Sequence, residues 1–204
     1  VFGGILGRRD NEKDVAEALQ YSIPEIDLVL VDLYPFEETV AAGGSQDEII
    51  EKIDIGGISL IRAAAKNYKD VLIVPARNYY DDLFDLLERS NGFSTLDERL
   101  GFAQAAFAVS SHYDSAIYQY FASPDPEFLK ISSHDFKSLR YGENPHQEGR
   151  YYGKLDDLFE QIHGKEISYN NLLDIDAAVR LIDEFDDTTF AILKHNNACG
   201  LASR

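Results

Sequence analysis

The chain has 204 residues, 45% of them hydrophobic, with 36 Asp and Glu against 19 Lys and Arg and a formal net charge of −17. This balance argues against a nucleic-acid partner, because phosphate backbones are gripped by clustered Lys and Arg, and the lone cysteine, Cys199, excludes a disulfide framework. No apolar run approaches the ~20 residues that span a bilayer and no charged-then-apolar leader opens the chain, so a soluble, cytoplasmic protein with no membrane partner is expected.

The opening segment, Val1 to Arg9, reads like the middle of a domain, and the chain stops four residues after Gly200. Together with the absence of methionine, this predicts a fragment cut at both ends. Asn11 to Leu19 has helical apolar spacing, with Val15, Ala18 and Leu19 on one side. Ile26 to Leu33, mostly apolar and rich in β-branched residues, predicts a buried strand ended by Tyr34-Pro35. Ser45 and Glu48 form a capping-box pattern opening a short helix through Lys52. Ile53-Asp54-Ile55-Gly56-Gly57 reads as a turn before a helix from Ile58 to Asn67. Val71 to Val74 is a second strand closed by Pro75, and Tyr79 to Arg89 an amphipathic helix with Leu83, Leu86 and Leu87 inward. Thr95 and Glu98 form a second capping box, opening a helix to about Phe121. Alternating strands and helices imply a mainly parallel sheet with helices on its faces.

Ser123-Pro124-Asp125-Pro126 is a breaker cluster, and a domain boundary is expected between it and His134. Beyond it come a strand near Tyr151, a polar turn at Tyr169-Asn170-Asn171 and a helix from about Asp176 to Glu184. The apolar run Phe190-Ala191-Ile192-Leu193 then delivers Lys194-His195, followed by Asn196-Asn197. A buried strand ending in two ionisable groups and a small polar turn is how α/β enzymes present catalytic side chains. Strand side chains alternate, so Lys194 and His195 reach one substrate only if the backbone turns there. A strand end with two solvated polar residues is the alternative.

Six segments, in order, resemble the bifunctional AICAR formyltransferase/IMP cyclohydrolase family of purine synthesis. They are Gly3-Gly4-Ile5-Leu6; Leu33-Tyr34-Pro35-Phe36; Ile53 to Gly57 with Arg62 to Asn67; Arg140-Tyr141-Gly142 with Asn144-Pro145-His146-Gln147; Gly164-Lys165-Glu166 with Ser168 to Asp174; and Lys194 to Asn197 with Cys199-Gly200. The resemblance implies a partial methylglyoxal-synthase-like parallel-sheet domain, the cyclohydrolase, over residues 1–130. It also implies the beginning of a cytidine-deaminase-like formyltransferase domain over 131–204.

For ring closure, the resemblance implies Lys66 as general acid/base or oxyanion stabiliser, with Tyr34 and Asp54 positioning substrate and relaying protons. It places the nucleotide against Val31, Asp32, Ile55 and Gly56. The alternative for Lys66 is a solvated helix-end lysine complementing the dipole. For formyl transfer it implies His195 as base and Lys194 as oxyanion stabiliser or proton donor to the departing folate nitrogen, with Arg140, Tyr141 and Asn171 holding the nucleotide. Alternatives here are a surface strand-end arginine and an ordinary turn. Asp32 departs from the family's common Asn, and Ala198 from the Pro of many relatives, leaving that loop less rigid. The implied partners are AICAR, its formylated form and IMP, with 10-formyltetrahydrofolate as co-substrate, no metal, and a homodimer. A non-catalytic nucleotide-binding or dimerisation module built on the same folds is the competing expectation.

Overall fold

The computed structural model describes residues 1–122 and 127–204, so the breaker cluster Ser123-Pro124-Asp125-Pro126 lies outside the described residues. The chain packs as two compact units, Val1–Ser132 and Ser133–Arg204. In the first, α1 (Phe2–Leu6), α2 (Glu12–Gln20), β1 (Leu28–Leu30), α3 (Phe36–Ala41), α4 (Gln46–Glu51), α5 (Ile55–Lys66), β2 (Leu72–Val74), α6 (Tyr80–Arg89) and α7 (Leu96–Phe121) follow in order. In the second come β3 (Phe136–Leu139), β4 (Gly149–Tyr152), α8 (Tyr169–Ile182), β5 (Thr189–Lys194) and β6 (Asn197–Ser203).

β1 and β2 pair in parallel, Leu28 opposite Leu72 and Leu30 opposite Val74. The two faces of β2 go to different partners, as alternation requires. Val71 and Ile73 join Val29, Ile61, Ala64 and Ala106 in one core, between the sheet and α5 and α7. Leu72 and Val74 pack with Leu83 of α6 in another. Covered on both sides, β2 is buried at every position. β1 is shorter than the Ile26–Leu33 strand expected; one further ladder bond, Val31 N–H to Val74 O at 3.0 Å, precedes the Tyr34-Pro35 turn.

Further expectations are corrected. Ile55-Gly56-Gly57 is no turn but the first turn of α5, because Asp54 caps the helix by accepting from the Gly57 N–H and so offsets the poor helix propensity of two glycines. Tyr169-Asn170-Asn171 likewise opens α8, well before the expected start near Asp176, through a reciprocal cap between Ser168 and Asn171. The strand ending at Lys194 is not buried: Phe190 is 69% and Ile192 55% exposed, on the outer face of a two-stranded antiparallel hairpin with β6. On α2, Leu19 is 78% exposed, so that helix buries less of its apolar side than its spacing suggests. Both predicted capping boxes, Ser45 with Glu48 and Thr95 with Glu98, are formed.

Candidate active sites

In the first unit Asp32, Tyr34 and the Asp54 cap of α5 lie toward the carboxyl ends of β1 and β2, where open parallel sheets leave a crevice for ligands. Asp32 follows the last ladder bond, and exposed Tyr34 lies two residues on. α5 crosses back between the two parallel strands, so its amino terminus lies at this end. There the Asp54 carboxylate accepts from Gly57 N–H at 2.6 Å. A Cβ at Gly57 would lie 2.5 Å from that carboxylate, so a larger residue there would make the Asp54 side chain shift. Ile55 is 72% exposed and a Cβ at Gly56 would meet open space, so the first turn of α5 faces solvent beside the Asp54 cap.

Tyr113 of α7, buried and singled out by nothing in the sequence, organises this end. Its hydroxyl accepts from Asp54 N–H at 2.7 Å and donates to Lys52 O at 2.8 Å. Its ring meets Phe36 edge-on, with centroids 6.1 Å apart. One side chain thus ties the segment after Tyr34 to the segment before Asp54. Lys52 Nζ lies 5.9 Å from the Tyr34 ring centroid, a cation–π contact across the same two segments.

Lys66 is not brought to this cluster. It is exposed in the last turn of α5, at the far end of a continuous helix, about 16 Å along the axis from Ile55. A ligand, or a side chain leaning back toward the helix amino terminus, has to span that gap. Next to it, buried Asn67 donates to Ile5 O at 2.8 Å and Gly7 O at 3.2 Å, fixing α1 against the end of α5. Gly4 of α1 lies so close to Pro24 O that an added Cβ would sit 2.3 Å from it, which accounts for glycine there by packing.

In the second unit, two predicted groups far apart in sequence meet along α8. Arg140 N–H donates to Ile167 O at 2.9 Å and Tyr169 N–H to Tyr141 O at 3.1 Å, pinning the segment after β3 to the start of the helix. The Arg140 guanidinium donates to the Tyr141 hydroxyl at 3.0 Å and lies 4.8 Å from its ring centroid. The Ser168 hydroxyl, and then the Arg140 guanidinium, hold the Tyr141 phenol below its ordinary pKa. Asn171 Oδ1 accepts from Ser168 N–H at 3.1 Å and Oγ at 2.9 Å.

One turn along α8, Asp174 Oδ1 accepts from Asn196 N–H at 2.8 Å. Asn171 and Asp174, three apart, share a helix face. The turn carrying His195 is therefore anchored about 4.5 Å along the helix axis from the Asn171 cap. His195 and Asn196 both have positive φ, 52° and 61°, between the paired Lys194 and Asn197, as in a two-residue hairpin turn. The chain thus turns one residue earlier than Asn196-Asn197 suggested, so His195 is a turn residue and strand alternation no longer sets it opposite Lys194. Leu193 faces Ala198 while Ile192 faces Gly200, so Cys199 forms a bulge beside the tip. Lys194 and His195 are both exposed.

Comparison with known families matches residues 64–204 to the AICARFT/IMPCHase bienzyme. The chain belongs to the AICARFT/IMPCHase bienzyme family. Over all 204 residues it is 65% identical to "Bifunctional purine biosynthesis protein PurH" of Bacteroides thetaiotaomicron, of which it covers 40%. It is 44% identical over 217 residues to the protein of the same name from Rippkaea orientalis, with 99% of this chain and 42% of that relative covered. A solved structure, "Crystal structure of ForH", is 36% identical with a TM-score of 0.46, over 60% of this chain and 63% of that one. The chain thus spans about two fifths of the length of the curated relatives it matches. Among the described residues, no helix is long and apolar enough to cross a membrane.

Proposed function

We propose that the chain carries parts of both active sites of a bifunctional purine-synthesis enzyme. In this reading, residues 1–130 belong to a methylglyoxal-synthase-like IMP cyclohydrolase domain and residues 131–204 begin a cytidine-deaminase-like AICAR formyltransferase domain. The observation that carries it is the match of residues 64–204 to the bienzyme family, together with 65% identity to a PurH protein along the whole chain.

The first reaction moves a formyl group from 10-formyltetrahydrofolate to the amino group of AICAR. That amine is a poor nucleophile, its lone pair delocalised into the ring and amide, so transfer needs a base and stabilisation of a tetrahedral oxyanion. His195 takes the proton as the C–N bond forms; Lys194 steadies the oxyanion and protonates the folate nitrogen as its bond to the formyl carbon breaks. Arg140, Tyr141 and Asn171 hold the nucleotide. The anchoring of the His195 turn to Asp174, on the same face of α8 as Asn171, supports grouping these residues.

In the second reaction the carboxamide nitrogen attacks the formamide carbon and water leaves, closing the ring of IMP. Proximity and proton transfer suffice. Asp54 and Tyr34 position the substrate and relay protons, Val31, Asp32, Ile55 and Gly56 hold the nucleotide, and Lys66 serves as acid/base. Lys66 reaches the reacting atoms from the far end of α5 only with substrate bridging the helix. The enzyme works as a cytoplasmic homodimer without a metal in these segments.

The test is a full-length family enzyme carrying these 204 residues, supplied with AICAR and 10-formyltetrahydrofolate and followed to IMP. Formation of IMP is expected. Binding of IMP with neither half-reaction would overturn the enzymatic reading in favour of a nucleotide-binding module.

A further inference from the structure

Arg77, just before α6, and Tyr80, at its start, both end on Asp32. Arg77 Nε donates to Asp32 Oδ2 at 3.0 Å, and the Tyr80 hydroxyl donates to the same oxygen at 2.9 Å. Arg77 comes from the segment leaving β2 through Pro75, whereas Asp32 leaves β1, so the cluster straddles the carboxyl ends of the two parallel strands. A carboxylate only accepts hydrogen bonds. Both protein donors occupy Oδ2, and Oδ1 accepts none from the described residues.

We propose that Arg77 and Tyr80 are positioning residues for the nucleotide, holding Asp32 by one oxygen and leaving the other to accept from a ligand hydroxyl at the strand ends. This rests on the reading in which Asp32 contacts the nucleotide. Stability is a poor rival explanation, because the Arg77 side chain is 83% exposed and exposed ion pairs contribute little. Charge is the better one. In a chain of net charge −17, a bare carboxylate at the strand ends would repel an anionic nucleotide, and the adjoining guanidinium offsets that field. The coupling is felt at both donors: the hydrogen bond to Asp32 raises the pKa of Arg77 and of Tyr80 above their ordinary values.

The experiment measures ring closure of formylated AICAR, and calorimetric binding of IMP, in a full-length family enzyme carrying these residues. Arg77→Ala should raise KM and the IMP Kd about tenfold, the scale of a lost charge-assisted hydrogen bond, with kcat changing far less. Added salt should narrow the gap by screening the exposed carboxylate. Asp32→Asn keeps an acceptor and removes the charge, so the Asp32→Asn/Arg77→Ala double variant should bind better than Arg77→Ala alone. Arg77→Lys, which keeps the charge but loses the planar donor, should fall between. A loss that is merely structural would show neither the rescue nor the salt dependence. If Arg77→Ala leaves KM and Kd within twofold of wild type, or the double variant shows no rescue, the positioning role is overturned and the proposed function stands. A wild-type enzyme that neither closes the ring nor binds IMP overturns that function and this role with it.

Discussion

The backbone N–H of Asn196 donates to the Asp174 carboxylate at 2.8 Å, joining the β5–β6 turn to the middle of α8 across 22 residues of sequence. The turn this bond restrains carries two positive-φ residues, His195 and Asn196, which a free loop would hold less well. If the proposed function holds, Asp174→Ala in a full-length family enzyme should therefore lower formyl transfer about tenfold and destabilise this unit by about 1 kcal/mol, while Asp174→Asn, which keeps an acceptor, should do less. Transfer kinetics and thermal melts of both variants check this; equal loss in the two would point to the charge of Asp174 instead of its bond to the turn.

In a full-length family enzyme carrying these residues, Lys194→Ala and His195→Ala should each lose most formyl transfer, with the double variant losing less than the product of the two. Removing a base costs about 10²–10⁴ in rate and removing an oxyanion donor about 10²–10³, but groups acting on one intermediate share one barrier reduction. Cyclohydrolase activity on preformed formylated nucleotide should survive in all three variants. Near wild-type transfer after His195→Ala would refute the assignment of the base.

In the full-length family enzyme, Lys66→Ala should abolish ring closure and leave formyl transfer largely intact. Assaying both half-reactions on one variant decides it, and a parallel loss of both would mean that the lysine matters for folding.

Acid should weaken the first unit through the cap of α7. The Glu98 carboxylate accepts from Thr95 N–H at 2.8 Å and from Arg89 at 2.7 Å. These bonds lower its pKa from 4.5 to about 2, the Thr95 N–H first among the causes. A carboxyl depressed on folding contributes stability above its unfolded pKa and loses it as pH falls through the folded one. The contribution should therefore fade between about pH 4.5 and 2. Glu98→Gln should flatten the melting temperature against pH in that window; an unchanged slope would exclude Glu98 as a contributor.

How much of this was legible in sequence depended on whether the cause was local. The capping boxes at Ser45 and Thr95 were, because a cap is a contact three residues apart. So was the parallel pairing of the two apolar runs, although only the second is buried throughout and the first is buried at Val29 alone. The early starts of α5 and α8 were missed because glycine and asparagine pairs signal turns, and only the cap geometry at Asp54 and Ser168 overrides them. The exposure of β5 was misread because an apolar run does not disclose how many strands flank it. Tyr113 and Arg77 were invisible for a different reason. Their partners lie 59 and 45 residues away, and nothing in either neighbourhood marks them as paired.

The cap of α8 limits what Asn171 can say to a ligand. Its carboxamide oxygen already serves the Ser168 N–H and hydroxyl, and because a backbone N–H can only donate, the atom facing it must be the oxygen. Only the Nδ2 end is left to face outward. Any ligand atom that Asn171 meets must then be an acceptor, such as a carbonyl or phosphate oxygen, and a hydroxyl there has to point its proton elsewhere. Asn171→Asp would preserve the helix start, since a carboxylate caps as well, while reversing the polarity shown to the ligand. At this one residue, the grammar of folding and the grammar of recognition use opposite ends of the same amide.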